Sequence, residues 1–91
     1  MPRYVIERNI PGAGQMSAAE LRAVSQTSVG ILNELGPHMR WLQSYVTDDK
    51  IYCIYEAPSV ALIEEHARCM GMPANRISEV RAMVDPTTAS G

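Results

Sequence analysis

The sequence predicts an α+β domain of element order β-α-β-β-α-β, with a four-stranded antiparallel sheet carrying two helices on one face. Short β-branched and aromatic runs alternate with two longer segments of helical period. Each helical segment opens at a serine and stops at a glycine with a proline one or two residues on. A tight Asp48-Asp49 turn joins the second and third strands.

In chain order, residues 3–9 (RYVIERN) are short, β-branched and partly alternating, which predicts the first strand. The loop IPGAGQM follows. Ser17-Ala18-Ala19-Glu20 is a capping box, in which the Ser17 hydroxyl and the Glu20 carboxylate each satisfy a backbone N–H. Leu21, Val24, Ser28, Ile31, Leu32 and Leu35 then recur at helical spacing until Gly36-Pro37, so the first helix is expected over 17–35. Residues 40–47 (RWLQSYVT) and 50–57 (KIYCIYEA) form the hairpin, and Ser59 caps a second helix over 59–70 that ends at Gly71. A last strand is expected over 77–84 (ISEVRAMV), then a frayed polar tail, DPTTASG. The chain is thus one domain over 1–84 with a tail over 85–91. The order is that of a ferredoxin-like fold, and right-handed crossovers put its first and third strands in the middle of the sheet. Two helices cover only one sheet face, so a homodimer through the bare face is expected.

The chain has 91 residues, 46% of them hydrophobic, and a formal net charge of -2. That suffices for a core and gives no basic footprint for nucleic acid or anionic membrane. No apolar run approaches the roughly 20 residues of a membrane span, and MPRYVIERNI has no signal-peptide core, so the expected compartment is the cytoplasm. Two cysteines, outside any CxxC pair, are too few for a disulfide framework.

Candidate chemistry concentrates in the second helix and third strand. Leu62, Ile63, His66, Cys69 and Met70 fall in one arc, which turns His66 and Cys69 toward the sheet at i, i+3 spacing. Two readings stand: a hydrogen-bonded core histidine beside a small apolar cysteine, or two ligands of a soft metal ion. Cys53 lies in a central strand, and its face depends on the hairpin register. A two-residue turn sets it with Leu42, Ser44 and Val46, and one more loop residue sets it with Gln43 and Tyr45. Tyr4, Trp41, Tyr45, Tyr52 and Tyr55 line the strands, with no phenylalanine, which suits either strand propensity or a partly polar pocket. Glu7 and Glu56 need partners from Arg3, Arg8, Arg40 or Arg81, or form an acid/base pair. PGAG lacks the Lys-Ser/Thr of a phosphate loop, there is no nucleophile elbow, and no catalytic motif is assembled. His38 beside Gly36-Pro37 is a solvated loop residue.

The stretches MPRYVIER, RWLQSYVTDDKIYCIYEAP, EEHAR, GMPANRISEVR and DPTT together resemble a family of small bacterial ferredoxin-like domains with nickel-binding members. The resemblance covers nearly the whole chain and implies a homodimer that binds nickel or another transition-metal ion. It carries a metal or active-site role onto Cys53 and His66. Position 43, commonly histidine in the family, is Gln43 here, and an amide is a poor ligand beside imidazole. The implied site is therefore weakened, with Cys69 as the natural substitute ligand and Glu7 or Glu56 behind it. The alternative is a dimeric α/β-barrel enzyme or binder that encloses a small molecule against the aromatic-lined sheet face.

Overall fold

The structure, a computed structural model, describes residues 1–90; Gly91, the end of the expected tail, lies outside them. Strands β1 (Arg3–Asn9), β2 (Arg40–Val46), β3 (Lys50–Glu56) and β4 (Arg76–Glu79) form one antiparallel sheet in the order β2-β3-β1-β4. Helices α1 (Ala18–Leu35) and α2 (Val60–Met70) are the two crossovers. This is the ferredoxin-like α+β architecture, with β1 and β3 central as right-handed crossovers require.

The caps act as the sequence predicts. Glu20 N donates to Ser17 Oγ and Ser17 N to Glu20 Oε1, which holds the Glu20 carboxyl below the usual carboxylate range. Leu62 N donates to Ser59 Oγ at the start of α2. Gly36 and Gly71 close the helices at φ of 102° and 68°, values that side chains with a Cβ resist.

Strand pairing fixes the two faces. Tyr4 pairs with Tyr55, Ile6 with Cys53 and Arg8 with Ile51, and all six are buried beneath the helices. Their neighbours Val5, Glu7, Tyr52, Ile54 and Glu56 form the half-buried outer face. The core joins the inner strand residues to Ile63, Ala57, Met39 and Ala13.

Two expectations need correction. Pairing of β4 with β1 ends at Glu79 opposite Tyr4, followed by one bond from Val80 N to Arg3 O, so the strand is four residues and does not reach Val84. With β1 starting at Arg3 there is no partner beyond that point, and Met83 and Val84 are exposed. The tail is not frayed throughout. Asp85 accepts from Thr87 N and donates its own N–H to Thr88 Oγ1, and a 3₁₀ turn forms over Pro86–Ser90. Among the described residues no helix is long and apolar enough to cross a membrane.

Candidate functional site

The two helices sit differently on the sheet. α2 buries Ile63, His66 and Ala67, whereas α1 buries only Ser28 and leaves Leu21, Val24 and Ser25 half-buried. Beneath α1 this leaves a cavity of about 190 Å³. Arg8 of β1, Trp41 and Ser44 of β2, Ile51, Cys53 and Tyr55 of β3, and His66 and Met70 of α2 line it, with the α1 stripe above.

Register decides which side chains arrive there. Thr47 N donates to Lys50 O, so Asp48-Asp49 is a two-residue turn and Ser44 pairs with Cys53. This is the first of the two registers open to the sequence. A bulge between Trp41 and Gln43 adds one residue to β2, a feature the sequence reading lacks. It turns Trp41 to the face of Tyr55, where the rings stack with centroids 6.5 Å apart and the indole N–H donates to Ser44 Oγ at 2.9 Å.

The polar side chains of the cavity are linked. Ser28 Oγ lies 3.2 Å from His66 Nε2, and the His66 ring is 5.4 Å from that of Tyr55. His66 Nδ1 is buried with no hydrogen-bond partner. Burial, and then the charge of Arg8, hold the His66 imidazole below its ordinary pKa, which favours the neutral ring. Burial, with the nearby Cys53 thiol, pushes the Tyr55 hydroxyl up, so it stays protonated. Arg8 is 2% exposed; its Nε points to Cys53 Sγ at 3.4 Å and its Nη1 donates to the Pro73 carbonyl at 2.9 Å.

Of the four residues singled out as metal ligands, the fold brings two together. Cys53 and His66 line the same cavity. Gln43 pairs with Ile54 on the opposite face, exposed, with its amide on the Tyr45 hydroxyl. Cys69 is exposed beside Glu65 and Arg68, contrary to the expectation that it faces the sheet. The buried stripe of α2 is centred on Ile63, His66 and Ala67, and Cys69 falls about 110° round from that centre. Among the described residues no three His, Cys, Asp or Glu side chains converge on a point. Glu7 and Glu56 do not form an acid/base pair: Glu7 accepts from Lys50, and Glu56 from Arg3 and Arg40 at 3.1 Å each.

Arg8, Ser28 and Tyr55 are the site residues that sequence reasoning missed as such. For Arg8 a signal was present, since it shares strand parity with Tyr4 and Ile6. Ser28 also sat visibly in the apolar stripe of α1.

Fold and cavity together define a small α+β domain with a thiol, an imidazole and a guanidinium gathered under one helix. The chain belongs to the family of nickel responsive proteins like SCO4226, whose family model matches residues 4–80. It is similar in fold to the crystal structure of SCO4226 from Streptomyces coelicolor A3(2), at 18% identity and a TM-score of 0.75. That match covers 90% of this chain and 99% of the other. The search of curated protein sequences gave no match.

Proposed function

We propose that this chain is a homodimeric protein that takes up a nickel-like transition-metal ion weakly and reversibly through the Cys53 thiol and the His66 imidazole. The observation that carries the reading is that both residues line one cavity, with His66 Nδ1 buried and without a hydrogen-bond partner. Thiolate and imidazole suit nickel, copper or zinc, and the nickel responsiveness named for the family supports nickel first. Cys53 would supply sulfur and His66 its Nδ1, with Ser28 orienting the ring from Nε2.

The donors fit such an ion in kind and fall short of the four of a closed structural site. Arg8 beside Cys53 opposes a cation by about 4 kcal/mol per unit charge at 4 Å and intermediate dielectric. Weak, exchangeable binding with water in the remaining positions follows. The half-buried outer face, with Val5, Tyr52 and Ile54 and the exposed Tyr45, is the surface a second copy would cover.

Untagged protein stripped with a chelator and titrated with nickel should show binding in the range of about 10 μM to 1 mM. Absence of uptake at millimolar nickel would overturn the reading. Light scattering at micromolar concentration should give twice the chain mass, and a monomer there would remove the dimer.

A further inference from the structure

Arg8 is the feature that metal uptake leaves unused. A guanidinium carries five N–H donors. The Pro73 carbonyl and the Cys53 sulfur engage two of its nitrogens and the Tyr55 hydroxyl also meets the group, so its hydrogen bonds are partly met while its charge is not. No carboxylate among the described residues lies within ion-pairing distance of it. Glu7 and Glu56 are on the other face with their own cations, Glu20 is held in the capping box, and Glu65 is on Arg68. Burying a charge without a counter-charge is costly, so a fold that does so at a cavity wall is prepared for an anion there.

A second observation points to the same ligand. His66 Nδ1 is buried and unpartnered on a residue that lines the same cavity. The Ser28 hydroxyl can accept from Nε2–H or donate to Nε2. In the second arrangement the ring proton sits on Nδ1 and is a donor. That is the opposite tautomer to the one that ligates an ion, so metal and anion exclude one another at this atom. Around these groups the wall is apolar, with Leu21, Val24, Met70 and Met72. A cavity of about 150 Å³ holds a benzene, so one of about 190 Å³ has room for a ring plus a carboxylate.

We propose that the cavity binds a small monocarboxylate with an apolar body of about the size of benzoate, its carboxylate on Arg8 and His66 and its body under α1. Trp41 lines the cavity and is the single tryptophan, so its fluorescence reports occupancy.

The test titrates metal-free protein, in chelator, with sodium benzoate and with benzamide, the neutral isostere. Benzoate should bind about 10- to 100-fold more tightly, the margin of a charge-assisted hydrogen bond over a neutral one. Arg8→Met, which keeps the side-chain length, should bring the two affinities together. Should that variant fail to fold, Val24→Phe, which fills the cavity from its half-buried rim and keeps Trp41 the single tryptophan, should abolish binding of both while Arg8 stays in place. Equal wild-type affinity for benzoate and benzamide, or no binding of either at 10 mM (about 3 kcal/mol of affinity), would overturn the proposal. Benzoate binding that appears only when nickel is added would also overturn it, because the carboxylate would then sit on the ion; the metal reading would survive that result. Failure of nickel uptake with benzoate binding intact would leave this proposal standing alone.

Discussion

Both faces of the central strands carry charge, and they handle it in opposite ways. On the outer face Glu7 and Glu56 keep side-chain exposures of 27% and 18% and each has a cation across the strands. On the inner face Arg8 is 2% exposed, one strand position from Glu7, and has a thiol and a carbonyl but no carboxylate. The outer arrangement is self-sufficient and needs nothing from outside the chain. The inner one has a guanidinium charge with no carboxylate and one buried atom without a partner, His66 Nδ1, on residues that line an open volume. Alternation along a strand therefore separates a structural face from a chemical one within two adjacent residues.

The largest effect that sharpens this contrast is on packing. Ile6→Ala, at a fully buried inner position, should lose about 2–5 kcal/mol in urea unfolding. Ile54→Ala, half-buried on the outer face, should lose no more than about half of that in dilute protein. If a second copy covers that face, the Ile54 effect should grow with protein concentration, as linkage to association requires. Equal losses at all concentrations would mean that the faces do not differ as described.

A smaller effect separates them by pH. The buried His66 has a pKa below its usual 6.5, so between that folded value and about 6.5 the unfolded chain binds the proton more readily. Stability of the metal-free protein is full above about pH 6.5 and should fall as pH drops through that window. His66→Gln should flatten this part of the profile in thermal unfolding. An unchanged slope would show that His66 is not held neutral by the fold.

The smallest effect belongs to the outer face. Lys50→Gln removes an exposed partner of Glu7 and should change stability by less than about 1 kcal/mol, with the change shrinking in salt. A loss of several kcal/mol would mean the outer ion pairs are not the solvated contacts seen here.

Much of the fold was legible because its signals are local. The Ser17–Glu20 box, the Gly36-Pro37 stop and the alternation of β1 and β3 all appear in the structure. The short β4 was not legible, since its length depends on where β1 begins, more than seventy residues earlier. Cys53 and His66 were visible as odd residue types in apolar frames, while their meeting depends on two crossovers and a hairpin register. Cys69 shows the limit of periodicity: an arc drawn from residue types drifts when Ala67, small and uninformative, is one buried edge of a stripe centred near Ile63. The Trp41 bulge has no turn residue or glycine to announce it, and it alone brings the indole into the cavity.

The most direct test of the account asks which face meets the ion. Metal-free wild type and the variants Cys53→Ser, His66→Ala, Cys69→Ser and Gln43→His are titrated with nickel by calorimetry. Loss of Cys53 or His66 should weaken binding by about two orders of magnitude, the equivalent of about 3 kcal/mol. Cys69→Ser and Gln43→His should leave it unchanged, because both positions lie away from the cavity in the folded chain. Tightening in Gln43→His, with Cys53→Ser and His66→Ala silent, would place the ion on the outer face and contradict the account.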